Sequence, residues 1–149
     1  MTTYTDFVTN HLKNRGLRVT KTRILIADLL ENIDKPVSAH EVKNLLSAQG
    51  KKVDAVTIYR ILECFDENQL IHRVLSTGKV VKCNLEGEAH CHLHQKDRCH
   101  YLLICDQCGV IDEMDCPEAT GLMKHISHIK DFLITGHNLE FTGICKSCA

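Results

Sequence analysis

Apolar residues along the first 70 positions recur every three or four residues, which is the spacing of helices that bury one face. Glycines at Gly16 and Gly50 mark two helix ends, where a residue that tolerates positive φ is favoured. Residues typical of helix starts mark the other boundaries. They are Thr20, Ser38 with Glu41 three positions later as a capping box, and Asp54. The pattern therefore predicts four short helices.

The predicted helices offer apolar side chains for one shared core. We expect burial along one face of the first, second and fourth helices. The positions are Phe7, Val8 and Leu12, then Ile24, Leu25, Ala27, Leu29 and Leu30, then Val56, Ile58, Ile61, Leu62 and Phe65.

Strand-like residues follow these helices in the segments LIHRVLS and KVVKCN. They flank Thr77 and Gly78, which predicts a two-residue hairpin loop. In that register His72 lies directly opposite Cys83, with their Cβ atoms about 4.5–5.5 Å apart. An imidazole and a thiolate at that separation can share one tetrahedral zinc, although a structural histidine is the alternative. Helices followed by a hairpin indicate a winged helix-turn-helix, and a plain helical bundle shares most of the pattern.

The second half of the chain shows a different order of elements. HYLLIC and GVIDEMD predict a strand pair, a helix is expected to start near Pro117, and DFLITGHNLEFTGIC predicts a returning strand. We therefore predict an α+β protein, in which an N-terminal winged helix-turn-helix domain precedes a small α/β domain.

Charge divides the chain in the same way. Residues 1–82 carry 13 Lys and Arg against 9 Asp and Glu, whereas residues 83–149 carry 5 against 10. This asymmetry favours a nucleic-acid-binding first half. The polar residues of the fourth helix suit base and phosphate contacts, and an upstream basic cluster suits phosphate contacts. The first set is Thr57, Tyr59 and Arg60, and the second is Arg15, Arg18, Lys21 and Arg23. A merely solvated charged face is the alternative for the basic cluster.

Cysteine and histidine are concentrated between residues 90 and 108, which hold four of the ten histidines and four of the nine cysteines. An odd cysteine count, with neither a signal peptide nor an apolar run of about 20 residues, favours a cytoplasmic protein with reduced thiols. Metal binding is then favoured over disulfides.

Two CxxC motifs carry the most specific metal signal. They are Cys105-x-x-Cys108 and Cys145-x-x-Cys148. Each presents two thiolates, and together they predict a closed four-cysteine structural zinc site. A thioredoxin-like redox pair is the competing interpretation, but neither motif lies in an evident βαβ unit.

The segments SAHEV, VDAVTIYRIL, LIHRV, HYLLICDQCGVIDE and GHNLEFTGICKSC resemble the ferric uptake regulator superfamily over nearly the full chain. The resemblance implies a DNA-binding domain over residues 1–82, a hinge with a His-rich loop over 83–95, and a dimerisation and metal-binding domain over 96–149. It also implies a homodimer, a structural zinc and a regulatory metal at the hinge.

The expected regulatory ligands are His72, Cys83, His100 and Glu113. A sulfur ligand at position 83 is similar to the zinc uptake regulator branch, because a carboxylate there would suit iron(II) better. His100 and Glu113 match positions at which the family has ligands. Together these residues would offer two nitrogens, one sulfur and one oxygen to zinc.

The chain departs from the family pattern between Cys83 and Cys105, where it has extra residues and lacks a histidine at position 102. For this reason His92, His94 or Cys99 can replace His100 as a ligand. Cys99 with His137 resembles part of a further metal site, the alternative being solvated loop residues. His90 and Cys91 receive no role, and neither does His92 if it is not that ligand. His125 and His128 are expected on the surface of the predicted helix.

These features predict a zinc-activated repressor that binds pseudo-palindromic operators of zinc-uptake genes as a homodimer, with no small-molecule substrate and no membrane. An iron, manganese or peroxide regulator on the same scaffold is the alternative. Enzymes are disfavoured, because the H-x-E and P-C-x-x-C pairing of zinc deaminases is missing. A zinc-buffering protein would explain the ligand excess but not the polar face of the fourth helix.

Overall fold

The computed structural model describes residues 3–83, 100–115, 117–134 and 139–149. The chain forms two compact units, residues 1–86 and 87–149, and each is described by itself. The described helices are α1 (Tyr4–Asn14), α2 (Lys21–Glu31), α3 (Ala39–Ala48), α4 (Ala55–Glu67) and α5 (Pro117–Lys130). The strands are β1 (Ile71–Arg73), β2 (Val80–Lys82), β3 (His100–Cys105), β4 (Ile111–Asp115) and β5 (Leu139–Gly143). Among the described residues, none of the helices has the length and apolar character that crossing a bilayer requires.

The helices of the first unit begin at the predicted caps. The side chains of Thr20, Ser38 and Asp54 each accept a hydrogen bond from the backbone N–H three residues later. Ser38 also forms the predicted capping box, because Glu41 accepts from the Ser38 N–H at 2.7 Å. These bonds satisfy backbone donors that have no partner within the helix. The four predicted helices are confirmed.

The core of the first unit gathers one face of each helix and both hairpin strands. Most positions predicted to be buried lie in it or pack against it. Two predictions were wrong: Ile24 is 38% exposed and Val56 is 59% exposed. Ile26, which was not predicted, is fully buried. In a short apolar run, more than one set of residues has the three-to-four spacing of a buried helix face. Packing against the other helices decides which set is buried.

The hairpin register differs from the predicted one. β1 and β2 pair antiparallel with His72 opposite Val81, so Cys83 is not the direct partner of His72. The loop is longer than predicted: Val74 donates to the Lys79 carbonyl at 2.8 Å, which leaves four residues between them. Gly78 at φ 69° allows that turn. The shift is by two residues, so His72 and Cys83 stay on one face as diagonal neighbours. Helices followed by this hairpin form a winged helix-turn-helix.

The second unit is a three-stranded sheet of order β4-β3-β5 with one described helix, α5. β3 pairs antiparallel with β4 and parallel with β5. The predicted strands at HYLLIC and GVIDEMD and the helix at Pro117 are confirmed. The last strand was predicted too long, because β5 starts at Leu139 and residues 131–134 lie outside any strand. Asp131 has φ 47°, a left-handed conformation that ends α5 and is incompatible with an extended strand.

Candidate metal centre and nucleic-acid surface

The four cysteines of the two CxxC motifs lie together at one end of the sheet. Cys105 is the last residue of β3, and the parallel register places it opposite Gly143, the last residue of β5. Because parallel strands end at the same edge, the chain leaving β3 and the chain leaving β5 bring their CxxC turns together. Each motif is a tight turn, closed by Gly109 N–H donating to the Cys105 carbonyl at 2.9 Å and by Cys148 N–H donating to the Cys145 carbonyl at 2.9 Å.

The geometry of this cluster fits a tetrahedral metal. The Sγ atoms of Cys105, Cys108, Cys145 and Cys148 lie within 4.8 Å of one another. The Sγ atoms of Cys108 and Cys145 are 3.7 Å apart. Four sulfurs at about 2.3 Å from zinc would be about 3.8 Å from each other, close to that spacing. The residues therefore suit a four-thiolate structural metal.

Hydrogen bonds shift the pKa values of two of these thiols in opposite directions. The backbone N–H of Cys108, followed by that of Cys145, lowers the pKa of Cys105 to about 6. The Cys145 N–H donates to the Cys105 Sγ at 3.3 Å. Hydrogen bonds to the sulfurs of Cys145 and Cys108 raise the pKa of Cys148 to about 12. Because a cysteine must be deprotonated to bind a metal, the raised pKa of Cys148 means that metal binding there releases a proton.

A second, smaller group of ligands lies on the wing of the first unit. The ligand atoms of His72 and Cys83 lie within 4.8 Å of each other. Cys83 is buried and His72 is partly buried. Diagonal neighbours on an antiparallel pair are further apart than direct partners, yet an imidazole is long enough to reach the thiol. The predicted pairing of one nitrogen and one sulfur ligand therefore exists, in a register different from the predicted one.

The other predicted ligands lie in the second unit or outside the described residues. Glu113 is a partly buried residue of β4. His100 is the first residue of β3, and the register pairs it with Asp115 and pairs Leu102 with Glu113. Positions 100 and 113 are therefore diagonal neighbours in the ladder. The candidates His92, His94, Cys99 and His137 lie outside the described residues, as do His90 and Cys91. His125 and His128 are exposed on α5, as predicted.

The start of α4 presents an exposed face with both apolar and polar groups. Tyr59 is 61% exposed and Arg60 is also exposed. Thr57 is partly buried, and its hydroxyl donates to the Asp54 carboxylate at 2.5 Å. That bond lowers the pKa of Asp54 below its usual range. Val56 lies beside these groups and was wrongly predicted to be in the core because it is apolar. An apolar side chain at this position suits contact with a thymine methyl group.

The basic cluster upstream is mostly exposed. Arg15, Arg18 and Lys21 are exposed, which suits phosphate contacts. Arg23 is partly buried, and its guanidinium donates to the Arg18 carbonyl at 2.6 Å. Arg23 therefore fixes the turn between α1 and α2 as well as adding positive charge.

Comparisons with known proteins agree with this architecture. The sequence pattern of the ferric uptake regulator family matches residues 14–142. The ferric uptake regulation protein of Neisseria meningitidis serogroup A is 32% identical over 139 residues, covering 92% of this chain and 90% of that protein. The peroxide-responsive repressor PerR of Staphylococcus saprophyticus is 29% identical over 143 residues, covering 96% and 89%.

Among solved structures, a zinc uptake regulator complexed with zinc and DNA has a TM-score of 0.82. It is 25% identical to this chain, and the match covers 97% of this chain and 91% of that one. Members of the family regulate transcription in response to metals and are not enzymes. The fold, the cysteine cluster and the family pattern agree, and the chain belongs to the ferric uptake regulator family, as a DNA-binding, metal-responsive transcriptional regulator.

Proposed function

We propose that this protein is a zinc-activated repressor that binds pseudo-palindromic operators of zinc-uptake genes. The observation that carries the proposal is the His72–Cys83 pair on the wing, with ligand atoms within 4.8 Å of each other. A thiolate ligand selects zinc over iron(II) and manganese, which favour harder oxygen ligands. Likeness to a zinc uptake regulator complexed with zinc and DNA supports the same assignment.

We propose that His100 and Glu113 complete the regulatory set, with His92, His94 or Cys99 as candidates to replace His100. His72 precedes the proposed hinge, residues 83–95, and Cys83 is the first residue of that hinge. His100 and Glu113 both follow it. Zinc bound by ligands from both sides of the hinge would restrict its motion. The four-cysteine cluster is proposed to hold a separate, structural zinc, and Cys99 with His137 is proposed to contribute to a further site.

The proposed DNA contacts come from two copies of the first unit in a homodimer joined through residues 96–149. Thr57, Tyr59 and Arg60 would contact bases and phosphates in the major groove. Arg15, Arg18, Lys21 and Arg23 would contact phosphates and make binding depend on salt concentration. Restricting the hinge would match the spacing of the two recognition helices to the two half-sites. Zinc and DNA then raise each other's affinity by the same factor.

Operator binding at controlled metal concentrations tests this proposal. Fluorescence anisotropy of a labelled AT-rich palindromic duplex would be followed while free zinc, and then iron(II) and manganese(II), is set by chelating buffers. We expect a rise in DNA affinity of about 5- to 150-fold with trace zinc, the usual range of allosteric coupling. Iron(II) and manganese(II) should give little change at the same concentrations.

Ligand variants show whether the wing pair causes that rise. His72→Ala and Cys83→Ser should each abolish the zinc response, while Cys64→Ser, a matched change in the same unit, should keep it. Cys64 is a partly buried residue of α4 outside both ligand clusters. A zinc response that survives in both ligand variants would refute the proposed sensor.

An iron, manganese or peroxide regulator is the second candidate. Sequence similarity to a ferric uptake regulation protein and to a peroxide-responsive repressor favours it. Activation by iron(II) or manganese(II), with zinc held only by the four cysteines, would support it.

A further inference from the structure

We propose that the hydroxyl group of Tyr4, in the first turn of α1, positions Cys83 for metal binding through the backbone carbonyl of Leu70. The proposal rests on the zinc-sensing function proposed above. It makes Tyr4 a positioning residue, since the hydroxyl acts through Leu70 and a backbone N–H.

Two hydrogen bonds meet at the Leu70 carbonyl oxygen. The Tyr4 hydroxyl donates to it at 2.7 Å, and the Cys83 N–H donates to it at 3.1 Å. A carbonyl oxygen has two lone pairs, so it can accept both bonds at once. All three residues are buried, and in surroundings of low dielectric such bonds are stronger than in water.

The position of Cys83 explains why this carbonyl matters. Cys83 directly follows β2, and Leu70 directly precedes β1, so their bond extends the wing by one step beyond the strands. His72 lies two residues after Leu70 on β1. The Leu70–Cys83 bond therefore sets the spacing between the backbones that carry the imidazole and the thiol. Metal ligation tolerates errors of only about 0.2 Å in ligand distance, so this spacing affects affinity.

Leu70 is also fixed to the recognition helix. Its N–H donates to the Phe65 carbonyl in the last turn of α4 at 2.8 Å. Gln69, the residue directly before Leu70, has φ 58°, which turns the chain sharply out of the helix. Tyr4 thus holds a peptide segment that connects the end of α4 to the ligand pair.

A second contact from the same turn of α1 reaches the residue before Cys83. Thr5 donates from its N–H and its hydroxyl to the Glu31 carboxylate, at 3.0 and 2.7 Å. The Lys82 ammonium donates to the Glu31 carbonyl at 2.5 Å. The first turn of α1 therefore supports the Lys82–Cys83 segment in two independent ways, through Leu70 and through Glu31. Both contacts help to hold the ligand pair in place.

Cobalt(II) binding to the full-length protein tests the role of the hydroxyl. The four-cysteine site would first be filled with zinc, and cobalt(II) would then be titrated while the cobalt–thiolate charge-transfer absorption is recorded. Zinc affinity would be measured in parallel by competition with a chelator. Tyr4→Phe keeps the buried ring and removes only the hydroxyl. We expect metal affinity to fall about tenfold or more, the usual effect of losing an outer-shell partner, together with a shifted cobalt–thiolate band.

Thr3→Ala is the matched control, because it removes the hydrogen bond that caps the same helix without contacting Leu70. We expect both variants to lower the melting temperature and only Tyr4→Phe to change cobalt and zinc binding. Unchanged metal affinity and spectrum in Tyr4→Phe, or equal changes in both variants, would overturn the proposal.

Cys83→Ser separates this inference from the proposed function. If Cys83→Ser removes the cobalt–thiolate band and Tyr4→Phe leaves it unchanged, the positioning role fails and the sensor stands. If the band survives in Cys83→Ser, the sensor assignment fails and the positioning role fails with it.

Discussion

The two units of this chain are held together in different ways. Among its described residues, the first buries seventeen apolar side chains in one cluster that joins its helices to the wing. In the second unit, the buried apolar residues among those described are Tyr101, Leu102 and Cys105. Large apolar side chains such as Ile129 and Phe141 are more than half exposed there. The first unit therefore has a core of its own, whereas the described part of the second unit buries few apolar side chains.

We propose that a metal in the four-cysteine cluster and a second copy of the chain stabilise the second unit, whose described residues form no comparable core. A small domain without a sufficient core usually needs a metal, disulfides or oligomerisation. A structural metal can contribute about 10–16 kcal/mol of apparent binding energy at pH 7. The exposed apolar residues of α5 and β5 are suited to burial in the proposed homodimer. On this proposal the first unit is stabilised by apolar burial and the second by ligand binding.

Loss of the four-cysteine site should have the largest effect on stability, and it should unfold one unit without the other. We expect Cys105→Ser, or removal of the metal with a strong chelator, to unfold the second unit while α1–α4 stay folded. Two-dimensional NMR would show this as collapse of the signals of β3–β5 with retention of those of the helices. The reason is that the second unit would lose the proposed metal, whereas the first unit would lose no core contact.

Cys64→Ser is the control for that experiment, because Cys64 lies in α4 and outside the cluster. It should leave the second unit folded. Simultaneous loss of both sets of signals in Cys105→Ser would mean that the first unit depends on the second for its stability.

The core of the first unit is tested by two adjacent leucines of α3. Leu46 is fully buried, whereas Leu45 is 40% exposed. We expect Leu46→Ala to lower the free energy of unfolding of the first unit by about 2–5 kcal/mol, through lost burial and an added cavity. Leu45→Ala should change it by no more than about 0.5 kcal/mol. Urea denaturation followed by helix circular dichroism measures both, and equal costs would argue against the assigned core.

The same contrast explains which parts of the structure could be predicted from the sequence. Helix starts at Thr20, Ser38 and Asp54 depend on bonds between residues three apart, so local sequence determines them. The four-cysteine cluster was predictable because metal ligation restricts the spacing of each cysteine pair. The burial of Ile26 and the exposure of Ile24 and Val56 depend on which neighbours pack against them, and a single sequence does not contain that information.

The wing register shows the same limit at a functional position. Thr77-Gly78 suits a two-residue loop, but Gly78 instead closes a four-residue loop, and the pairing shifts by two residues. A shift by an even number preserves the face of every side chain. The association of His72 with Cys83 was therefore predictable although their pairing was not. The hydrogen bond from the Tyr4 hydroxyl to the Leu70 carbonyl could not be predicted, because it joins residues 66 positions apart.

Acid should weaken the first unit through Glu41. The Ser38 N–H, with the Lys79 ammonium at 3.0 Å, lowers the pKa of Glu41 from 4.5 to about 2. A depressed pKa in the folded state means that this stabilisation is present above pH 4.5 and is lost as the pH falls toward 2. Because the Glu41 side chain is 44% exposed, solvent screening limits the contribution to about 1 kcal/mol.

Glu41→Gln tests this effect. We expect it to lower the free energy of unfolding by about 1 kcal/mol at pH 7 and by less at pH 3, where wild-type Glu41 has begun to lose its advantage. NMR signals of α3 and α4 would report the transition, so that loss of metal from the second unit in acid does not enter. Glu63→Gln, an exposed change on α4, is the control. A cost that does not depend on pH would assign the effect to helix capping alone.

Substitutions at helix ends should give the smallest effect, and each unit has one helix end that tests it. Glycines with positive φ follow α1 and α3, whereas Gln69 with φ 58° follows α4 and Asp131 with φ 47° follows α5. In α4 the Leu70 N–H bonds to the Phe65 carbonyl, and in α5 the Phe132 N–H bonds to the Ser127 carbonyl, so both helices close in the same way. A left-handed conformation costs a side chain such as Gln about 1 kcal/mol, whereas Asp adopts it more readily.

Gln69→Gly should therefore raise the free energy of unfolding of the first unit by about 0.5 kcal/mol, because relief of this cost exceeds the greater freedom of glycine in the unfolded chain. Asp131→Gly should give the second unit less, since Asp bears a smaller cost at the same position. Urea denaturation of each variant, followed by NMR signals of the unit concerned, would measure the difference. A loss of stability in Gln69→Gly would show that the Gln69 side chain makes contacts worth more than the backbone cost, and the left-handed turn before Leu70 would then be held by that side chain as well as by its backbone bonds.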